Sequence, residues 1–178
     1  MEERIKNMKD YEEFRKIFEI FKFYPFYEKW TEKGFEEEFE YLKKYGEIFG
    51  YYNNLGDVTG LISLVYGASD KQPVRFKQPE KVMYVSDLAV LENYRCKGMG
   101  TKLLKFAISY TRLLNYYNEM YMRTNLEGSM SEGIFIKQGF EVMKENGKII
   151  IQDVYFERTN NLIPEIDTRK FLLKRIDR

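Results

Sequence analysis

The sequence predicts a protein of the α/β or α+β class, in which helices pack on a mixed sheet. Apolar residues follow helical spacing through the first quarter of the chain, and strand-like runs then alternate with helical segments. Because each such element buries one apolar face, this order predicts a layered fold around one sheet. The 178 residues match the size of one domain, so we expect residues 1–178 to form a single domain.

The N-terminal part is predicted to contain two helices. Asp10 is a suitable cap for the first, and Pro25 ends it. The second is expected to stop near Gly46. Their apolar stripes are Met8, Tyr11, Phe14, Ile17, Phe18 and Phe21 in the first helix, and Phe35, Phe39 and Leu42 in the second.

Strands dominate the rest of the chain. Turn residues at 53–57 (NNLGD) and 145–147 (ENG) predict two hairpins, and residues 67–80 are expected to form a loop. The predicted strands are 48–52, 58–66, 81–90, 119–124, 140–144, 148–157 and 169–176, and the predicted helices are 98–117 and 129–138. For residues 169–176 a helix is the alternative.

Composition excludes several classes of function. The 29 basic and 28 acidic side chains give a net charge of +1, with no run of five like charges, so nucleic acid is not expected as a partner. No apolar stretch approaches the roughly 18 residues that predict a membrane span, so we expect no membrane partner. The chain has no histidine, which excludes imidazole chemistry and removes the commonest zinc ligand, and no metal is expected. The single cysteine allows no internal disulfide and favours a cytoplasmic location.

The most informative segment is residues 87–101, DLAVLENYRCKGMGT. A buried strand is followed by a short loop, and the loop opens a long helix. The first N–H groups of that helix have no intrahelical acceptor, and glycines at 98 and 100 let a phosphate approach the backbone. Arg95 and Lys97 add positive charge. The segment therefore predicts a site for a diphosphate.

Two common phosphate motifs are incomplete in this segment. Leu103 stands where a dinucleotide-binding motif has its third glycine, and the Gly-Lys-Ser/Thr of a P-loop is missing. The loop instead resembles the Arg/Gln-x-x-Gly-x-Gly/Ala motif of the GNAT superfamily of acyl-CoA-dependent N-acetyltransferases. Residues 134–140 (IFIKQGF) are similar to a second helix of that family, which ends in Lys-x-Gly-Phe. The resemblance covers residues 48–140.

The resemblance implies a GNAT-like fold with a mostly antiparallel central sheet flanked by helices. It also implies acetyl-CoA as co-substrate, with the backbone of one strand along the pantetheine arm and the backbone of the loop on the diphosphate. The residues implied in cofactor binding are Leu88, Ala89, Val90, Arg95, Cys96, Lys97, Gly98, Met99, Gly100 and Thr101, with Asn125 and Ser131 nearby.

The implied reaction is direct attack of a primary amine on the thioester in a ternary complex. Asp87, Ser86 and Tyr84 are candidate catalytic residues: Asp87 as base or as a structural carboxylate, Ser86 to orient a water, and Tyr84 as acid, with Tyr94 as the alternative acid. Strict alternation predicts that Asp87 faces away from Ser86 and Tyr84. Phe135 occupies the position where relatives usually carry the tyrosine that protonates the thiolate, so slow turnover is expected.

The acceptor is left open between a small-molecule amine (a polyamine, an amino acid or an antibiotic amine) and a peptide or protein amine (an N-terminus or a lysine). We expect residues 36–38, all glutamate, to be a solvated helix face, and the aromatic residues around Pro25 either to line a pocket or to pack. One alternative function is a weak or inactive acyl-CoA-binding sensor module on the same scaffold, and another is a phosphate-binding domain unrelated to CoA. A homodimer is a further expectation, because dimers are common for soluble domains.

Overall fold

The computed structural model describes residues 4–23, 28–68, 73–128, 131–157 and 165–176. Within these ranges the chain forms ten strands and four α-helices. The strands are β1 (Arg4–Asn7), β2 (Gly46–Tyr52), β3 (Val58–Tyr66), β4 (Val82–Val90), β5 (Glu119–Asn125), β6 (Glu141–Val142), β7 (Lys144–Glu145), β8 (Lys148–Ile149), β9 (Ile151–Phe156) and β10 (Glu165–Arg175). The helices are α1 (Tyr11–Phe18), α2 (Glu32–Tyr45), α3 (Met99–Leu113) and α4 (Glu132–Lys137).

One sheet contains eight of these strands. Their order is β1-β2-β3-β4-β5-β10-β6, and β9 also pairs with β10. β4 and β5 run parallel, whereas the other recorded pairs of this sheet are antiparallel. The structure confirms the predicted class: a mixed, mostly antiparallel sheet flanked by helices.

The two faces of the sheet carry separate cores. On one face α3 buries Leu103, Leu104 and Ala107 against β3 and β4. On the other face α1 and α2 bury their apolar stripes, including Phe14 and Phe35. We call the second face the α1–α2 face. An opening between two strands would therefore connect the α3 side of the sheet with the α1–α2 face.

The helix ends follow local hydrogen bonding. Asp10 caps α1 as predicted, since its side chain accepts a hydrogen bond of 3.0 Å from the Glu13 N–H. Helix α3 ends at Leu113, earlier than the predicted Tyr117, because Asn115 adopts a left-handed φ of 50° that turns the chain out of the helix. Among the described residues, no helix combines the length and the apolar character that crossing a bilayer requires.

The second predicted hairpin is mostly wrong. Only the two-residue strands β7 and β8 pair across the turn at 145–147. The segments outside them, β6 and β9, both pair with β10 instead. The 11-residue β10 offers a long edge, and its buried Phe171 and Leu172 anchor it in the core, so tertiary pairing overrides the local turn.

Strand β1 was not predicted. It pairs antiparallel with β2 over Arg4–Asn7, and its sequence RIKN contains a single apolar residue, Ile5. An edge strand with mostly exposed side chains lacks the alternation on which sequence prediction of strands relies.

Candidate active site

A gap opens between β4 and β5. The parallel ladder joins them only from Val82↔Glu119 to Tyr84↔Tyr121, although β4 continues to Val90. The cause is a bulge: Val85 pairs with Leu64 and Asp87 with Ser63, which leaves Ser86 as an extra residue. A bulge bends its strand and increases the twist, so β4 diverges from its parallel neighbour beyond Tyr84.

The backbone of β4 is exposed to this gap at alternate residues. The Leu91 N–H donates to the Thr59 carbonyl at 2.9 Å. Because hydrogen-bonded pairs alternate along an antiparallel ladder, Ala89 bonds toward β3, and the polar backbone groups of Leu88 and Val90 face the gap. The Val90 carbonyl accepts a bond of 3.0 Å from Arg95 Nε, which agrees with that orientation. Ala89, predicted as a third backbone contact, instead has its side chain buried on the α1–α2 face.

The loop after β4 leads to an uncapped helix start. Gly98 precedes α3 with φ of 80°, and no side chain among the described residues caps it. The first helical bond is from the Lys102 N–H to the Gly98 carbonyl at 3.0 Å, so the N–H groups of Met99, Gly100 and Thr101 have no intrahelical acceptor. The space around Gly98 is open, since a Cβ built there would meet no atom within 4 Å.

The other predicted loop residues have distinct surroundings. Cys96 is exposed and adopts a φ of 59°. Lys97 Nζ donates to the Asn93 carbonyl at 2.9 Å, whereas the Met99 side chain is buried. A Cβ on Gly100 would lie 3.3 Å from Ile134 Cδ1, so this glycine also allows α4 to pack on the start of α3.

Asn125 and Ser131 lie at the ends of neighbouring elements. Asn125 is exposed at the end of β5, in register with Arg169 of β10. Ser131 precedes α4, and its carbonyl accepts from the Ile134 N–H at 2.9 Å. Phe135 is 0% exposed and its ring stands edge-on to Phe140 at 5.1 Å, so it is a core residue.

The predicted alternation around Asp87 is wrong. The bulge places Asp87 on the α1–α2 face, where the Ser63 hydroxyl donates a hydrogen bond to its carboxylate. Ser86 also donates to Asp87. Burial raises the pKa of Asp87, while the bonds from Ser63 and Ser86 and the charge of Arg123 lower it.

Tyr84 shares this face with Asp87. Its ring stacks on Tyr121 at 4.7 Å between centroids, and its hydroxyl oxygen accepts a bond of 3.1 Å from Arg123 Nε. Burial raises the pKa of Tyr84, so the phenol is neutral near pH 7.

A second carboxylate, Glu38 of α2, lies near Asp87 on the α1–α2 face. Burial, with a further contribution from the negative charge of Asp87, raises the pKa of Glu38 from 4.5 to about 7. The expectation of a solvated acidic face therefore holds for the exposed Glu36 and Glu37 but is wrong for Glu38. The missed signal is helical spacing, because Glu38 lies three residues after Phe35 and four before Leu42, both fully buried.

The aromatic residues near Pro25 are only partly described. Residues 24–27 lie outside the described ranges, so their predicted role at the acceptor pocket is not addressed by the structure. Phe21 and Trp30 both pack edge-on against Phe18, at 4.8 and 5.1 Å between ring centroids. These two residues therefore contribute to the core between α1 and the sheet.

Comparison with known proteins agrees with this geometry. Residues 11–140 match the acetyltransferase (GNAT) family. An N-alpha-acetyltransferase of Sulfurisphaera tokodaii is 29% identical over 107 residues, which cover 59% of this chain and 63% of that relative. The match thus spans less than two thirds of that relative's length.

Solved structures at low sequence identity share the fold. The protein yncA of Salmonella typhimurium, solved with its cofactor acetyl-CoA, has a TM-score of 0.70 at 15% identity, with 100% of this chain and 96% of that one covered. A ribosomal-protein-alanine N-acetyltransferase of Brucella melitensis also has a TM-score of 0.70 at 15% identity, with 97% and 99% covered. At these identities the likeness shows the fold alone. Because the family match spans most of the sequence, including the strand, loop and helix at 87–101, the chain belongs to the acetyltransferase (GNAT) family.

Proposed function

We propose that the chain transfers an acetyl group from acetyl-CoA to a primary amine, by direct attack of the amine on the thioester while both substrates are bound. One observation carries the proposal: the gap between β4 and β5 lies between an uncapped helix start at Gly98 and a pair of carboxylates, Glu38 and Asp87. The gap thus separates a site suited to an anion from a site suited to an amine. The proposal treats residues 1–178 as one catalytic domain.

The α3 side is suited to acetyl-CoA. The N–H groups at the start of α3 and the positive end of its dipole favour a diphosphate, held by the backbone from Arg95 to Thr101. The backbone groups of Leu88 and Val90 at the gap are suited to the amides of a pantetheine arm. Asn125 and Ser131 flank the same end of the sheet as further contacts. The relative yncA, which was solved with acetyl-CoA, supports this choice of co-substrate.

Glu38 is the proposed general base. An alkylamine has a pKa around 10.4, so the amine arrives protonated and must lose a proton before it attacks. A carboxylate with a pKa of about 7 is ionised at mildly alkaline pH and still accepts a proton effectively. Asp87 and Ser86 would orient the amine or a water beside Glu38, and Asp87 is the competing candidate for the base.

The bonds change in a balanced way. Once Glu38 has taken one proton from the ammonium group, the neutral amine nitrogen bonds to the acetyl carbon, the carbon–sulfur bond breaks, and CoA leaves as the thiolate. The second proton of the nitrogen is released to solvent. The N–H groups of Leu88 and Val90 would stabilise negative charge that develops on the thioester oxygen. Phe135 has no proton to give, but a thiol has a pKa near 8.5, so the thiolate leaves without an acid or is protonated through Tyr84 or solvent.

A weaker or inactive acyl-CoA-binding module is the second candidate. The burial of Phe135, at the position where relatives carry tyrosine, favours it. On this view the α3 side would still bind acetyl-CoA, but no amine would be acetylated.

Calorimetry and a thiol-release assay distinguish these candidates. We expect acetyl-CoA to bind more tightly than ATP or NAD, and free thiol to appear when a panel of primary amines is supplied. Tight binding without thiol release from any amine would favour the binding module. Equal affinity for ATP, NAD and acetyl-CoA would contradict both functions.

A further inference from the structure

Arg123 lies at the edge of the gap, on the face that carries the carboxylate pair. It follows Tyr121, the last β5 residue paired with β4, by two positions. Residues two apart on a strand share a face, so Arg123 stands beside Tyr121 and Tyr84. The bond of 3.1 Å from Arg123 Nε to the Tyr84 hydroxyl confirms this placement.

The guanidinium of Arg123 bonds to neutral groups. In addition to the bond from Nε to Tyr84, Nη1 donates to Gln152 Oε1 at 3.2 Å. The guanidinium carbon lies 5.6 Å from the centroid of the Tyr84 ring. Among the described residues, no carboxylate lies within ion-pair distance of Arg123. Neighbouring Arg169 has Asp167 at 3.0 Å, so the two arginines differ in their local charge balance.

A half-buried cation with no carboxylate at ion-pair distance is suited to bind an anion. Burying a charge is unfavourable unless an opposite charge accompanies it. An arginine has five N–H donors in a planar fork, and Tyr84 and Gln152 occupy one on Nε and one on Nη1. The donors on Nη2 have no acceptor among the described residues. The planar fork of a guanidinium group matches the two oxygens of a carboxylate.

The position of Arg123 relative to the carboxylate pair defines the ligand. Asp87 shares the α1–α2 face of β4 with Tyr84, which accepts the bond from Arg123. Asp87 also accepts a hydrogen bond from Ser63 of β3. Glu38 belongs to α2, which packs on β2 and β3, the side of β4 that is away from β5. The face therefore presents two carboxyl groups followed by a guanidinium group. An amine that carries its own carboxylate has the complementary order of charges.

We infer that the acetyl acceptor is a small amino acid-like molecule, whose ammonium group meets Glu38 and Asp87 and whose carboxylate binds Arg123. The inference rests on the proposed function and specifies its acceptor class. Arg123 then selects the acceptor and takes no part in proton transfer.

The inference is tested with pairs of acceptor molecules, of which one carries a carboxylate and the other does not. Thiol release is measured with α-, β- and γ-amino acids, with the corresponding amides, with the decarboxylated amines, and with a peptide that has a free N-terminus and an amidated C-terminus. We expect a lower KM for at least one amino acid than for its amide or amine. Better turnover of the acceptors that lack a carboxylate (the amides, the decarboxylated amines or the amidated peptide) would overturn the inference and leave acetyl transfer intact.

Variants of Arg123 provide the second measurement. Arg123→Gln is expected to raise the KM for the preferred amino acid roughly ten- to hundredfold, because a charge-assisted hydrogen bond is lost, and to leave the KM for acetyl-CoA unchanged. Arg123→Lys keeps the charge without the fork and should recover part of the loss. Arg112→Gln, which removes an exposed charge from α3 on the opposite face, is the matched control. An equal rise in KM for amino acids and for their decarboxylated amines on Arg123→Gln would contradict the inference.

Binding separates this inference from the proposed function. Calorimetry on CoA-saturated protein compares an amino acid with its decarboxylated amine and needs no turnover. A preference for the amino acid that Arg123→Lys weakens supports the inference even if no thiol is released, in which case acetyl transfer fails. Absence of any preference overturns the inference, whatever the turnover.

Discussion

The two sides of the gap are built in different ways. The site proposed for the diphosphate consists of main-chain groups within residues 95–101, a single continuous segment. The site proposed for the acceptor consists of side chains from α2, β4 and β5, namely Glu38, Asp87 and Arg123. A main-chain site depends on local conformation, whereas a side-chain site depends on how distant segments pack. Substitutions on the two sides should therefore affect different kinetic constants.

The largest effect is expected from Glu38→Gln. Loss of a general base lowers kcat by about 10²–10⁴-fold, and the KM for acetyl-CoA should stay within about twofold of its value in the unmodified protein. In the unmodified protein kcat should rise as the pH passes about 7, where Glu38 becomes ionised. The variant should lack that rise in a pH profile of thiol release.

Two further variants control this prediction. Glu37→Gln removes the neighbouring exposed carboxylate, which pairs with Lys33 at 3.0 Å, and should leave kcat unchanged. If Asp87→Asn abolishes the rise with pH while Glu38→Gln retains it, Asp87 is the base and the assignment to Glu38 is wrong.

A smaller effect is expected from Gly98→Glu on the other side of the gap. A carboxylate at the positive end of α3 competes with a diphosphate, so the Kd for acetyl-CoA should rise roughly tenfold or more, as measured by calorimetry. Gly56→Glu is the matched control, because Gly56 also has a positive φ, of 90°, and open space around it. Similar losses of affinity in both variants would show that backbone strain, and not the helix start, is responsible.

Glu38 should also affect stability in a pH-dependent way. The folded protein holds the Glu38 proton up to about pH 7, whereas the unfolded chain releases it near 4.5. The folded state therefore binds more protons between these values, and this contribution to the free energy of unfolding falls as the pH rises from 4.5 to about 7. The change in the free energy of unfolding caused by Glu38→Gln should therefore be more favourable at pH 8 than at pH 4.5, by roughly 2–3 kcal/mol. Urea titrations of both proteins at the two pH values measure the difference, and an effect of Glu38→Gln that is the same at pH 8 as at pH 4.5 would contradict the pKa assigned to Glu38.

The smallest effect on turnover is expected from Phe135→Tyr. Phe135 is fully buried against Phe140, so a hydroxyl there enters the core instead of reaching a leaving group. The variant should lose about 1–2 kcal/mol of stability and change kcat by less than about twofold. A large gain in kcat would show that the missing tyrosine limits catalysis and that Phe135 has access to the gap.

The prediction of the fold succeeded where the signal was local. Asp10 caps α1 through its own neighbour Glu13, and strand β3 has the predicted bounds, because turn residues and apolar runs mark its ends. Prediction failed for β1 and for the pairing around 140–157, where the partner strand β10 is formed by distant residues. Local propensity cannot specify which edge a short strand joins.

The sequence by itself determined the loop and helix start at 95–101 and, through them, the family, because glycine conformation and unpaired helical N–H groups follow from adjacent residues. Only the tertiary structure decided how Glu38, Asp87 and Arg123 are arranged on the α1–α2 face. The bulge at Ser86 turned Asp87 toward α2. The packing of α2 on the sheet buries Glu38, and this burial together with the charge of Asp87 raises the pKa of Glu38. A strand register and the burial of a charge depend on contacts between segments far apart in the chain, and a linear pattern of residue types does not contain them.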